Sequence, residues 1–140
     1  MTAGTEHDRE LDSDLVSIIM PTYNCGAFIA ETIATVQAQT HPRWELIVVD
    51  DCSTDDTTDV VGALAKDDPR IRYVRLETNS GAAMARNRAM ELAQGRYMAF
   101  LDSDDLWHPD KLRRQIDFMT SRDVAMSCTA YAQIDEQGVP

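Results

Sequence analysis

Leu15-Val-Ser-Ile-Ile-Met20 is a short, nearly continuous apolar run that stops at Pro21. Being apolar on both alternating faces, it suits a strand buried between the layers of a parallel sheet. The pattern around it repeats. Asn24 is placed to cap a helix over 27–39, with Phe28, Ile29, Ile33 and Val36 on one stripe and a break at His41-Pro42. Trp44-Glu-Leu-Ile-Val-Val49 reads as a second buried strand, and Ser53 or Thr54 can cap a helix running to Lys66 with Val60, Val61 and Leu64 inward. Residues 71–76, with basic side chains alternating outward, read as a third and partly exposed strand. Asn79-Ser80-Gly81 turns into a helix over 82–93 closed by Gly95, and 97–101 is a fourth strand. Pro109 opens a helix with Leu112, Ile116 and Met119 on one side. Residues 124–128 and 129–134 read as extended, the latter as the first arm of a hairpin. Strands separated by helices of this length predict an α/β fold, a Rossmann-like, mainly parallel sheet flanked by helices.

The 140 residues amount to one globular domain at most, enough to bury roughly two thirds of the unfolded chain's surface. The 13 basic residues against 24 acidic ones give a formal net charge of -11. That balance argues against nucleic acid as a partner and against an anionic membrane surface as the main one, since both need a basic face. No apolar run approaches the ~20 residues of a membrane-spanning helix, and no basic segment leads into an apolar core at the N-terminus, so a cytoplasmic location is expected. Residues 1–14 hold five acids against one base, with only Leu11 to bury, and read as a disordered acidic leader before a domain at 15–140. With the second arm of that hairpin missing, the sequence is expected to be the front part of a longer protein. Cys25, Cys52 and Cys128 form no CxxC pair and no zinc spacing.

Open α/β sheets bind ligands beyond the carboxyl ends of their strands, at the point where strand order reverses. Three strands end there in polar residues: Thr22-Tyr23-Asn24, Asp50-Asp51 and Asp102-Ser103-Asp104-Asp105. Up to five carboxylates on one edge repel one another unless some are protonated or a cation joins them. Hard oxygen donors favour magnesium or manganese, which keep waters and complete their shell with substrate phosphates. An acidic chain can therefore hold a diphosphate through a metal bridge. Pro21-Thr-Tyr-Asn-Cys-Gly26 has one glycine where a dinucleotide fold needs G-x-G-x-x-G, and the phosphate loop G-x-x-x-x-G-K-[ST] is missing. Asp50, Asp51, Asp102 and Lys111 also offer the residue types of a phosphorylated receiver domain, although the paired acids there belong on the first strand.

Val16-Ser-Ile-Ile-Met-Pro-Thr-Tyr-Asn24, Glu45-Leu-Ile-Val-Val-Asp-Asp-Cys-Ser-Thr-Asp-Asp56, Asn79-Ser-Gly81 with Ala85-Arg-Asn87, and Phe100-Leu-Asp-Ser-Asp-Asp105 stand in this order. They resemble the successive motifs of the large family of inverting, nucleotide-sugar-dependent glycosyltransferases of GT-A fold, the family 2 type. The resemblance covers Val16 to Ile134. It implies that Pro21, Tyr23 and Asn24 line the nucleotide pocket with the Tyr23 ring against the base. It implies that Asp51 accepts a hydrogen bond from the base, typically uracil, and that Arg86 reaches the base or the diphosphate. Asp102-Ser103-Asp104 matches the DxD motif, with Asp102 near ribose and metal and Asp104 on the manganese or magnesium ion. Asp105 is expected to cap the Pro109 helix region or orient a metal ligand, Trp107 and His108 to lie within reach of the sugar, and Lys111, Arg113 and Arg114 to form a solvated helix face. Cys52 departs from the pattern, where glycine is common.

The implied activity is transfer of a hexose from a nucleoside diphosphate sugar, UDP-linked, to an acceptor hydroxyl with inversion, as in polysaccharide biosynthesis. The base that deprotonates the acceptor belongs to the acceptor-binding half and is expected beyond Pro140, so the 140-residue chain alone is expected to be inactive. A donor-binding module without transferase activity is the alternative. A glycan or lipid-linked acceptor would be held by the missing half, and peripheral membrane association is an expectation for the full-length protein.

Overall fold

A computed structural model describes residues 14–140, so the leader expected at 1–14 lies, apart from Asp14, outside the described residues. Among these, four parallel strands, β1 (Val16–Thr22), β2 (Trp44–Asp50), β3 (Ile71–Arg75) and β4 (Tyr97–Phe100), form one sheet in the order β3-β2-β1-β4. They alternate with α1 (Ile29–Gln37), α2 (Thr57–Asp67), α3 (Ala82–Leu92) and α4 (Lys111–Arg122).

Successive strand residues point to opposite faces, and both faces of the central strands β1 and β2 are covered. Ile18, Met20, Leu46 and Val48 pack with Ile29, Ile33 and Val36 of α1, Val61 of α2 and Leu112 of α4. Ile19, Ile47 and Val49 meet Ala85 and Ala89 of α3, whose small side chains let that helix lie close. Each fully buried Ile, Leu or Val contributes roughly 1.5–3 kcal/mol. This two-sided burial is why β1 and β2 read as unbroken apolar runs, whereas β3 turns Arg72 and Arg75 outward and β4 leaves Met98 and Phe100 exposed.

β1 continues through Pro21. The Ile19 carbonyl accepts the Leu101 N–H and the Thr22 carbonyl accepts the Asp51 N–H, so odd-numbered residues of β1 turn their backbone toward β4 and even-numbered ones toward β2. β4 pairs no further than Phe100 opposite Ile19. The N–H that proline lacks would face ground beyond the end of β4, so no ladder bond is lost. Where the chain enters β4, a Cβ at Gly95 would stand 2.7 Å from the Leu15 carbonyl oxygen and the Ser17 nitrogen, which explains the glycine.

Several expected caps are not caps. Phe28 and Asp56 hold the N-cap positions of α1 and α2 without side-chain capping bonds, and Asn24, Ser53 and Thr54 bind elsewhere. Residues 124–134 form no strand; beyond them the Asp135 N–H reaches the Val139 carbonyl and the Gly138 N–H reaches Asp135. Lys111 is not simply solvated, because its Nζ sits 5.3 Å from the Trp107 ring centroid and donates to Thr129 Oγ1. No helix among the described residues is long and apolar enough to cross a membrane.

The chain steps outward from β1 to β2 to β3, then returns to place β4 on the other side of β1. That reversal opens a crevice beyond the carboxyl ends of β1 and β4.

Candidate functional site

An open cleft of about 630 Å³ lies at this crevice. The end of β1 contributes Pro21, Tyr23 and Asn24, the end of β2 contributes Asp51, α3 contributes Arg86, and the segment after β4 contributes Asp102 and Asp104. The seven residues that the resemblance assigns to the nucleotide and the metal therefore line one cavity.

Tyr23 is 51% exposed and presents its ring to the cleft. Asn24 takes a left-handed backbone (φ 47), which asparagine tolerates better than most residues. Its Oδ1 accepts the Thr54 N–H at 2.7 Å and its own N–H donates to Ser53 Oγ at 2.9 Å, so it ties the loop after β1 to the loop after β2 instead of capping α1.

Asp50 and Asp51 part company. Asp50 is wholly buried and turned away from the cleft, accepting hydrogen bonds from Ser53 N–H and Oγ, Tyr73 Oη, Thr58 Oγ1 and the Arg75 guanidinium. Burial alone would raise its pKa, and the bonds from Ser53, Tyr73 and Thr58 bring it below the ordinary carboxylate value. The expected cluster of five carboxylates thus loses one member to the fold. Asp51, also buried, accepts the Ser80 N–H at 2.6 Å and the Gly81 N–H at 2.8 Å. Gly81 (φ 92) is the N-cap of α3, so Asp51 fixes the start of the helix that carries Arg86. Cys52 adopts φ 65, the left-handed conformation suited to glycine, and its thiol donates to the Leu76 carbonyl at 2.9 Å.

Ser103 is buried between Asp102 and Asp104, and both flanking acids line the cleft. Arg86 Nη2 stands 3.6 Å from Asp102 Oδ1. The Asp105 N–H closes a turn onto the Asp102 carbonyl at 3.1 Å. Burial first, and then the charges of Asp104 and Asp102, push the Asp105 carboxyl up. Asp105 does not cap the next helix, whose N-cap is Asp110. Trp107 packs against the core and His108 is exposed; neither lines the cleft. Two hard carboxylates side by side suit magnesium or manganese. No group of three or more His, Cys, Asp or Glu among the described residues could hold a metal alone, so further ligands would be water and phosphate.

Among the lining residues that were given no role from the sequence are Thr22 and Cys25. The Thr22 hydroxyl is buried and has no hydrogen-bond partner among the described residues, in a wall of the cleft. Cys25 also lines it, and its thiol, pushed up by burial, donates to the Ser103 carbonyl at 3.3 Å. A polar residue ending an apolar strand was the available signal for Thr22; nothing in the sequence marks Cys25. A smaller cavity adjoins at Phe28 and Asp104, edged by Glu31, Ile134 and Glu136.

The chain is 54% identical over 126 residues to a Bacillus subtilis (strain 168) protein assigned by name to teichuronic acid biosynthesis as glycosyltransferase TuaG, covering 90% of this chain and 50% of that one. It is 43% identical over 129 residues to the Escherichia coli UDP-Glc:alpha-D-GlcNAc-diphosphoundecaprenol beta-1,3-glucosyltransferase WfgD, covering 92% and 50%. It thus spans half the length of these two curated relatives. Among solved structures, S. aureus TarS 1–349 in complex with UDP superposes with a TM-score of 0.73 at 35% identity, over 78% of this chain and 33% of that one. The mannosyltransferase PcManGT from Pyrobaculum calidifontis, in complex with GDP-Man and Mn2+, gives 0.70 at 33% identity, over 74% and 32%. The parallel sheet with helices on both faces is the GT-A type shared with these neighbours. Residues 17–139 match the family described as Glycosyl transferase family 2, and the chain belongs to that family.

Proposed function

We propose that this chain is the donor-binding part of a glycosyltransferase that moves a hexose from a UDP-linked donor to an acceptor hydroxyl with inversion. The observation that carries the reading is the convergence of Tyr23, Asp51, Arg86, Asp102 and Asp104 on one cleft at the strand-order reversal. Tyr23 offers a ring for the base, Asp51 holds the wall on which the base rests, and Arg86 offers positive charge to the diphosphate. Asp102 and Asp104 would hold a manganese or magnesium ion, which when bound neutralises charge on the leaving nucleoside diphosphate. Relatives named for UDP, UDP-Glc or Mn2+ support this choice of donor and ion.

The base that takes the acceptor proton is placed outside this chain, which spans half the length of the two curated relatives. Asp110 is engaged by Thr40 and Arg113, and Asp135 by the N–H groups of Gln137 and Val139 in its own turn. The acceptor is a glycan or a lipid-linked sugar, which accords with the diphosphoundecaprenol in the WfgD name. A cytoplasmic protein meeting the membrane peripherally belongs to the same reading. Family membership and the Asp pair's place after the second strand speak against the receiver alternative.

Calorimetric titration of UDP with and without manganese tests the proposal. Metal-dependent UDP binding, lost in Asp104→Ala, is the expected result, and absence of nucleotide binding with any metal would sink it. Sugar transfer by this chain alone would refute the placement of the base.

A further inference from the structure

Beside the apolar stripe of α1, a polar seam runs along the same helix. Thr32 and Thr35, with Gln39 just beyond the helix end, follow at spacings of three and four residues. All three give their side chains to the backbone of the segment after β4, which has no helix or strand before Lys111. Thr32 Oγ1, fully buried, donates to the Ser103 carbonyl at 3.0 Å. Thr35 Oγ1 accepts the Trp107 N–H at 3.2 Å. Gln39 donates to the His108 carbonyl at 2.8 Å and accepts the Leu112 N–H at 3.1 Å. A hydroxyl among buried isoleucines is costly unless it is paired, and the partner of Thr32 is the carbonyl midway between the two cleft carboxylates. The Cys25 thiol donates to that same oxygen.

We infer that Thr32, with Cys25 as a second donor, is a positioning residue for the metal-dependent step of donor binding. By pinning the Ser103 carbonyl against α1, it leaves the flanking Asp102 and Asp104 side chains facing the cleft at a fixed separation. Thr32 itself touches neither nucleotide nor metal; its place is in the helix–sheet core, and it acts through one peptide group. This rests on the reading above, in which Asp102 and Asp104 meet the metal and the diphosphate.

Thr32→Val keeps the shape and removes the hydroxyl; Thr32→Ser keeps the hydroxyl. The test titrates Mn2+ into each protein saturated with UDP, titrates UDP into the metal-free proteins, and follows amide hydrogen exchange at 102–106 without metal. For Thr32→Val the Mn2+ dissociation constant is expected to rise about tenfold or more, as when a group that orients metal ligands is removed. Exchange at 102–106 should quicken, metal-free UDP binding should stay within about twofold, and Thr32→Ser should restore the parent's Mn2+ affinity. Equal Mn2+ affinity and equal exchange in Thr32→Val would overturn the positioning role, as would an equal loss of metal-free UDP binding or a failure of Thr32→Ser to rescue. A parent protein without Mn2+-dependent UDP binding would overturn the donor-site reading itself, and the metal role of Thr32 with it.

Discussion

Asp51, at the end of β2, accepts the Gly81 N–H at 2.8 Å and so anchors the first turn of α3 from across the sheet edge. The residue that family resemblance assigns to the base is thus already engaged by the fold, and it shapes the cleft wall as well as facing the ligand. In Asp51→Asn one acceptor oxygen becomes an NH2 group opposed to a backbone N–H. Loss of a hydrogen bond to a charged group costs about 1.5–3 kcal/mol, so the thermal midpoint should fall by several degrees together with UDP affinity. UDP binding lost at an unchanged midpoint would show that Asp51 serves the ligand alone.

Arg86 should behave in the opposite way. Its contact with Asp102 is 3.6 Å long, Asp102 is largely exposed and Arg86 is partly so, so the pair contributes at most about 1 kcal/mol to stability. Arg86→Gln is expected to leave the denaturation midpoint nearly unchanged while weakening UDP binding about tenfold, measured by calorimetry. A large fall in stability would place Arg86 in the scaffold instead.

Far from the cleft, Asp68 should report acid unfolding. The Arg70 guanidinium hydrogen-bonds its carboxylate at 2.9 and 3.0 Å and, against the effect of burial, holds its pKa at about 2 instead of 3.8. A depressed acid stabilises the fold above its unfolded pKa, and that contribution disappears as pH falls from 3.8 through about 2. With Arg70 42% exposed, solvent screening leaves about 1–2 kcal/mol. Asp68→Asn should lose that amount at neutral pH and flatten the acid limb of a stability–pH curve measured by urea denaturation. An unaltered acid limb would contradict the assignment.

All four strands and all four helices among the described residues were legible: two-sided burial writes continuous apolar runs into β1 and β2, β3 and β4 stand as short runs between turn residues, and the helices carry apolar stripes. The limits lay at the joints. Pro21 reads as a strand end unless one knows that its nitrogen faces the side where β4 has stopped, and Asn24 reads as a helix cap because its partners at 53–55 lie about thirty residues away. The seven residues assigned to the nucleotide and the metal were named by resemblance and line one cleft, yet the count of carboxylates there was not legible. Neighbouring strand residues face opposite sides, so of Asp50 and Asp51 only one reaches the cleft. Thr32 was invisible as anything but core, since its partner Ser103 lies 71 residues away.

The central claim is that an acidic chain holds a nucleoside diphosphate through a divalent ion seated on Asp102 and Asp104. Linkage then requires UDP to raise the affinity for Mn2+ by the same factor as Mn2+ raises the affinity for UDP. Electron paramagnetic resonance of free Mn2+ measures this directly, because the signal of the hydrated ion falls as it binds. The expected result is weak Mn2+ binding to the chain alone, binding at least about tenfold tighter with UDP present, and no such gain in Asp104→Ala. Mn2+ binding that is equally strong with and without UDP, or that survives in Asp104→Ala, would contradict the account.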